Sequence, residues 1–200
     1  MNKLKIIAEA GVNHNGSIEL AKKLVDAAFA AGADIVKFQT YKTEKLVTRK
    51  AAKAKYQESS EFESQFDMLK RLELSEECFR EIQRYCDHVG LELLSTAFDF
   101  ESLNFLVNDL SLKTLKVPSG ELSNAPLVLA HARTQCNLIV STGMATLAEV
   151  ERALGVIAFG LMKNSSTPSE ARAISLADRS NTPDLSARIR LSRAVSRAIG

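Results

Sequence analysis

Eight polar residues that could bind or protonate a small molecule stand at or near the ends of apolar runs in this 200-residue chain. They are two lysines, two glutamates, a glutamine and three hydroxyl residues: Lys37, Lys116, Glu9, Glu121, Gln39, Thr96, Ser119 and Ser141. Burying an ammonium group without a partner is costly, so two inward-facing lysines predict a bound anion or a carboxylate pair. Carboxylates in the same place could transfer protons. The pattern therefore predicts a site for a small anionic substrate.

The apolar runs that carry these residues have the length and composition of β-strands. We predict strands at residues 5–9, 34–39, 91–96, 113–117 and 137–141. Helical periodicity follows each of them, and five strand-then-helix units in a row predict a parallel α/β sheet. In a closed barrel and in an open sheet alike, ligands bind beyond the carboxyl ends of the parallel strands. The polar residues are therefore predicted to converge at that edge.

Side chains on a strand alternate between its two faces, which assigns the polar residues to one face of the sheet. On the second strand Lys37 and Gln39 share the face of Ile35, whereas Val36 and Phe38 point to the other. The same alternation pairs Ile7 with Glu9, Leu94 with Thr96, Thr114 with Lys116, and Ile139 with Ser141.

Capping residues mark where the helices begin and end. Ser17 and Ser75 are predicted N-caps. The helix that begins at Ser17 is predicted to end at Gly32, and the helix that begins at Ser75 is predicted to end at Gly90. Residues 146–149 begin with threonine and end with glutamate, which predicts a reciprocal capping box. Pro126 suits the first turn of its helix.

Composition excludes several functional classes. The chain is 46% hydrophobic and 25% charged with a net charge of +2, and no basic stripe carries interleaved aromatic residues, so nucleic acid is not a predicted partner. No apolar run approaches the ~20 residues of a membrane helix, and the first residues lack the apolar core of a signal peptide. The three cysteines, Cys78, Cys86 and Cys136, match no zinc spacing and are predicted to be reduced, structural thiols of a cytoplasmic protein.

The histidines and one long polar segment have weaker functional interpretations. His14 is predicted to make a local turn contact, with donation to a substrate as the alternative, and His88 and His131 are predicted at the surface. No histidines pair into a metal site. Residues 40–60 are predicted to form a long loop. Its lysine-rich part, residues 42–55, is predicted to be solvated, with closure over an anion as the alternative.

Five motifs in order resemble the N-terminal barrel of the sialic acid synthase family, which includes N-acetylneuraminate and N,N'-diacetyllegionaminate synthases. The motifs are IIAEAGVNHNGS, AGADIVKFQT, LLSTAFD, KVPSGELSNAPL and IVSTGMAT. The resemblance covers about residues 4–170. It implies a parallel (β/α) barrel of TIM type that is incomplete here, with about five of eight βα units.

The resemblance also implies an activity, which is the condensation of phosphoenolpyruvate with an N-acylated hexosamine to a nonulosonic acid, with release of phosphate. A divalent metal, manganese or magnesium, and a homodimeric state are implied with it. By motif, Lys37, Thr96, Lys116, Ser119 and Ser141 would bind phosphoenolpyruvate. Glu9 would be the acid/base, and Gln39 and Glu121, also catalytic, would face the sugar.

The resemblance stops near residue 170, which divides the chain into a partial barrel, residues 1–170, and a tail, residues 171–200, unrelated to the family. The tail holds six arginines and no lysine, whereas residues 1–170 hold six arginines and fourteen lysines. We interpret this change as a disruption of the reading frame, with a divergent tail as the alternative. The histidines that bind the metal in the family are absent from the chain. Strands one and five are then expected to keep unpaired edges, and synthase activity is expected to be weak or lost.

Two other functions fit the same residues. One is a Schiff-base aldolase or lyase that uses Lys116 as its amine, because desolvation can activate a lysine at a strand end. The other is a non-catalytic fragment that a second chain completes.

Overall fold

A computed structural model describes residues 4–49 and 64–161 with their side chains, and residues 189–192 by their backbone alone. The chain divides into two compact units, Met1–Ser111 and Leu112–Gly200. Within their described residues, each unit contains three parallel strands. The predicted parallel α/β class is therefore confirmed.

The first unit alternates strands with helices as predicted. Its strands are β1 (Ile7–Gly11), β2 (Ile35–Thr40) and β3 (Glu92–Ala97). Its helices are α1 (Ile18–Ala30), α2 (Thr43–Leu46), α3 (Gln65–Leu72), α4 (Glu76–Val89) and α5 (Phe100–Asn104). A π-helical turn, Phe105–Asp109, continues α5.

The second unit begins with β4 (Thr114–Val117), which is followed by a short 3₁₀ helix, Ser119–Glu121. The elements after it are α6 (Ala125–Arg133), β5 (Asn137–Ser141), α7 (Leu147–Leu161) and β6 (Ile189–Ser192).

The predicted helix caps are confirmed. The Ser17 and Ser75 hydroxyls each accept a hydrogen bond from a backbone N–H of the first turn, both at 3.2 Å. Thr146 N donates to Glu149 Oε2 at 2.8 Å, and Glu149 N donates to Thr146 Oγ1 at 3.3 Å. Gly90 has the left-handed φ of +82° that ends α4. Each cap satisfies backbone groups that a helix end leaves without a partner.

Buried apolar side chains lie on both faces of the strands in the first unit. Val36 and Phe38 on one face of β2 are fully buried, as are Val25 of α1 and Ile82 of α4. On the other face, Ile35 of β2 and Leu94 of β3 are buried too, and the Lys37 side chain is 12% exposed. The predicted alternation is therefore confirmed, with Lys37 and Gln39 on the face of Ile35, opposite to that of Val36 and Phe38.

Two predictions about the strands are wrong. β1 continues to Gly11, so Glu9 lies in the middle of the strand and not at its end. The fifth strand does not keep an unpaired edge, because β6 pairs with β5 in parallel and places Ser141 opposite Ser192. Within the described residues, β1 is paired with β2 alone.

The polar segment after β2 also differs from its predicted loop, because residues 43–46 form α2. Residues 50–63 lie outside the described residues, and so does the predicted boundary at residue 170. None of the helices in the described ranges combines the length and the apolar character needed to cross a membrane.

Candidate functional site

Four of the eight predicted site residues share one face of the first unit. In the register of the parallel strands, Glu9 lies opposite Lys37, and Gln39 lies opposite Thr96. Register partners in neighbouring strands point their side chains to the same face, and residues two apart on one strand do so too. Glu9, Lys37, Gln39 and Thr96 therefore form one cluster, which we call the acid–lysine face.

An ion pair occupies the middle of the acid–lysine face. Lys37 Nζ lies 2.5 Å from Glu9 Oε2. The Lys37 side chain is 12% exposed and the Glu9 side chain is 55% exposed, so the lysine is enclosed and the carboxylate reaches it from the solvent side. The predicted requirement for an anion beside Lys37 is met here by a carboxylate of the same chain.

Gly11 gives this face its local shape. The pairing of β1 with β2 shifts register between Glu9 and Gly11, which is a β-bulge, and Gly11 has a φ of +55°. A Cβ at Gly11 would lie 3.3 Å from Glu9 Oε1 and 3.6 Å from Gln39 Nε2. Both polar side chains therefore pack over the bare backbone of this glycine. Bulges often redirect a side chain beside an active site.

Thr96 supplies a hydroxyl that is ready for a ligand. The residue is 1% exposed, and its Oγ1 has no hydrogen-bond partner within the described part of the chain. Buried polar groups are nearly always hydrogen-bonded, so an orphaned hydroxyl on a polar face indicates a position where a bound molecule or water completes the bonding.

Sequence reasoning missed Asp99, which holds the neighbouring backbone in place. This buried aspartate accepts hydrogen bonds from Lys42 N at 2.8 Å, Ser102 N at 2.8 Å and Ser102 Oγ at 2.7 Å. It thereby caps α5 and ties the end of β2 to the end of β3. An aspartate directly before a helical pattern is a recognisable N-cap signal, and that signal was available in the sequence.

The remaining four predicted residues belong to the second unit. Lys116 of β4 lies opposite Ile139 of β5, so Ser141, two residues farther along β5, points to the same face as Lys116. Lys116 is half-buried and Ser141 is buried. The predicted face-sharing is therefore confirmed within this unit.

Ser119 and Glu121 lie on the 3₁₀ helix that follows β4. Glu121 Oε2 accepts a hydrogen bond from Asn124 Nδ2 at 2.9 Å, and Asn124 Oδ1 accepts one from Leu127 N at 3.4 Å. Asn124 thus both caps α6 and orients the Glu121 carboxylate. Sequence reasoning did not single out this residue.

The predictions for the histidines are confirmed in two cases and wrong in one. His14 makes the predicted local contact, since its Nδ1 accepts a hydrogen bond from Gly16 N at 3.1 Å, and His88 is exposed. His131 was predicted at the surface but is buried, with Nδ1 donating to Leu127 O at 2.9 Å. Its helix face packs inward with Leu127 and Val128, which the polarity of histidine conceals in the sequence.

Acid is expected to destabilise the second unit through His131. Burial lowers the pKa of His131 below 6.5, its ordinary value. As the pH falls through 6.5, the unfolded state therefore binds more protons than the folded state does. The free energy of unfolding therefore decreases with falling pH in that range. Urea unfolding at pH 7.5 and 5.5 should show a smaller decrease for His131→Gln than for the wild type. The exposed control His88→Gln should keep the wild-type decrease, and an equal decrease in all three proteins would contradict this expectation.

Burial also lowers the pKa of His14, which adds an acid-sensitive group to the first unit.

The two buried cysteines behave as structural residues. Burial raises the pKa of Cys86 to about 12, and Cys136 Sγ donates to Leu112 O at 3.4 Å. A thiol that remains protonated at neutral pH is a poor nucleophile, which supports the structural role predicted for Cys86.

The described residues do not fit the divalent metal that the resemblance implies. Across residues 4–49, 64–161 and 189–192, no group of three or more histidine, cysteine, aspartate or glutamate side chains could hold a metal ion. The two carboxylates of the predicted site are already bonded, Glu9 to Lys37 and Glu121 to Asn124.

Comparison with known proteins places the chain in a family. The model of the NeuB family matches residues 24–181, a range that includes seven of the eight predicted site residues and begins after Glu9. The chain is 49% identical over 154 residues to N,N'-diacetyllegionaminic acid synthase of Legionella pneumophila, covering 76% of this chain and 43% of that protein. It is 46% identical to the protein of the same name from Campylobacter jejuni, covering 78% and 47%. The chain thus spans less than half the length of these relatives.

Solved structures agree with the sequence matches. The Bacillus subtilis spore coat polysaccharide biosynthesis protein SpsE is 33% identical with a TM-score of 0.60, over 77% of this chain and 40% of that one. An N-acetylneuraminic acid synthetase of Leptospira borgpetersenii has a TM-score of 0.70 over 96% of this chain and 65% of that one, and at 24% identity it supports the fold alone. The family match, which covers most of the chain, shows that this protein belongs to the NeuB family.

Proposed function

We propose that this chain is a NeuB-family synthase that binds phosphoenolpyruvate and an N-acylated hexosamine and joins them with release of phosphate. The observation that carries the proposal is the acid–lysine face, where the enclosed ammonium of Lys37 and the orphaned hydroxyl of Thr96 share one face of the strands. Relatives named as N,N'-diacetyllegionaminic acid synthases support the substrate class.

The charge of phosphoenolpyruvate matches these donors. Its carboxylate and phosphate carry about three negative charges, and ionic hydrogen bonds from preorganised donors are the strongest available to a protein. We assign Lys37 and Thr96 of the first unit to these oxygens. The phosphoenolpyruvate contacts that the family resemblance implies for Lys116, Ser119 and Ser141 of the second unit stay predictions.

The carboxylates serve the second substrate. The enol carbon of phosphoenolpyruvate attacks the sugar aldehyde, water adds to the resulting cation, and phosphate leaves. Glu9 is assigned the proton transfers that these steps require, with Gln39 beside it on the acid–lysine face. The role that the family resemblance implies for Glu121 of the second unit stays a prediction. The described residues of this chain supply no ligand group for the family metal, manganese or magnesium. A homodimeric state stays a prediction.

A phosphate-release assay tests the proposal. Phosphoenolpyruvate, N-acetylmannosamine and manganese are mixed with the chain, and inorganic phosphate is followed over time. We expect release that depends on the hexosamine, because the acid–lysine face offers donors for phosphoenolpyruvate and the relatives are named as synthases. Absence of hexosamine-dependent release would contradict the proposed function.

Family membership favours the synthase over a Schiff-base aldolase that uses Lys116. Borohydride reduction in the presence of pyruvate separates the two activities, because a Schiff base is trapped covalently on its lysine. We expect no labelling of Lys116. Mixing the chain with a second chain that carries the remainder of a relative tests the fragment interpretation. Full turnover that appears only on mixing would support it.

A further inference from the structure

The ion pair on the acid–lysine face poses a problem for substrate binding. Lys37 already has an anionic partner, since Glu9 Oε2 lies 2.5 Å from its Nζ. A substrate with about three negative charges needs the same ammonium group. If Glu9 stayed in place, two anions would crowd one lysine, and like charges at such distances repel by about 1 kcal/mol even in bulk water and by more near a protein surface.

The two partners differ in their freedom to move. Lys37 is enclosed, whereas more than half of the Glu9 side chain is exposed, so Glu9 can adopt another staggered rotamer into solvent at little cost. The bare backbone of Gly11 lies beneath Glu9 and Gln39, so no side chain at position 11 hinders movement of the carboxylate. The carboxylate is therefore the mobile partner.

The vacant hydrogen-bonding capacity also lies on this face. Thr96 Oγ1 is buried without a partner within the described residues, although the Lys37–Glu9 pair is electrically neutral. Glu9 thus neutralises the charge of Lys37 but leaves the Thr96 hydroxyl on the same face without a partner within the described residues. We expect this if Glu9 holds a position that a bound anion would otherwise fill.

We propose that Glu9 is an internal counter-ion that occupies Lys37 until the anionic substrate arrives, and that this arrival releases the carboxylate for proton transfer on the second substrate. This inference rests on the proposed function of the same face.

The inference predicts that removing the charge of Glu9 strengthens the binding of phosphoenolpyruvate. Glu9→Gln keeps the size of the side chain and removes the competing charge. Phosphoenolpyruvate should therefore bind more tightly to this variant, by roughly two- to fivefold, which is the range for an ion pair with an exposed partner. A static brace for Lys37 would have the opposite effect, since its removal would weaken binding.

Isothermal titration of the full chain with phosphoenolpyruvate tests this inference. The matched control is Glu92→Gln, which removes the carboxylate of the exposed Lys5–Glu92 pair of the same unit and should leave the affinity unchanged. Glu9→Ser serves as a second variant should the glutamine variant fold poorly. Unchanged or weaker binding in both Glu9 variants would overturn the counter-ion role while leaving the proposed function intact. Absence of binding by the wild type and the variants alike would overturn the proposed function, and this inference with it.

Discussion

Lys37→Met is expected to weaken phosphoenolpyruvate binding by roughly 30-fold or more, because truncating one partner of an enclosed charge pair costs about 2–5 kcal/mol. The methionine keeps the aliphatic length of the lysine and loses only the ammonium group. Lys37 is 12% exposed, so neither water nor salt can replace that group well. Calorimetric titration of both proteins with phosphoenolpyruvate gives the comparison directly.

The matched control for this variant is Lys5→Met. Lys5 is also a lysine of the first unit that pairs with a glutamate, but its side chain is 51% exposed. We expect its phosphoenolpyruvate affinity to stay within twofold of the wild type. A Lys37→Met variant that binds as tightly as Lys5→Met would remove Lys37 from the site.

Gly11→Ala is expected to weaken productive binding of the hexosamine while the chain remains folded. Two effects combine at this position. An alanine at the φ of +55° costs about 1–2 kcal/mol. Its Cβ would also lie 3.3 Å from Glu9 Oε1, so the carboxylate must move by a few tenths of an ångström, whereas the 3.6 Å to Gln39 Nε2 is ordinary van der Waals contact. Because the reaction depends on the position of its acid/base, a displaced Glu9 should lower productive binding and rate.

Gly90→Ala separates these two effects. Gly90 has a φ of +82°, and a Cβ there would meet no atom within 4 Å, so this variant carries the backbone strain without any displacement of site residues. We expect similar losses of unfolding free energy in the two variants. Saturation-transfer NMR with N-acetylmannosamine and saturating phosphoenolpyruvate should show weaker sugar contact in Gly11→Ala than in Gly90→Ala. Equal sugar contact in both would show that Gly11 has no positioning role.

Much of the fold could be predicted from local patterns. The strands were found because each is an apolar run that precedes a periodic helix, and their residues on a shared face followed from alternation. The caps at Ser17, Ser75 and residues 146–149 were found because each satisfies backbone groups within one helical turn. Signals of this kind act over a few residues and can be read from one sequence.

The misses have a different physical origin, because they depend on packing between distant segments. The bulge that extends β1 to Gly11 is defined by its register against β2, and the burial of His131 depends on which face of α6 turns inward. Pairing of β6 with β5 joins segments nearly fifty residues apart. The ion pair of Glu9 with Lys37 joins two strands in the same way. Sequence reasoning therefore identified the residues of the acid–lysine face but not which of them bind each other.

The most direct test of the central claim is a phosphoenolpyruvate titration of the isotopically labelled full chain, followed by amide NMR shifts. We predict that the first unit responds at three places: Glu9–Gly11, Lys37–Gln39 and Thr96. We also predict that the helices on its other face, α1 and α4, stay unchanged. Shifts confined to those helices, or no saturable shifts at millimolar phosphoenolpyruvate, would contradict the claim that the acid–lysine face binds this substrate.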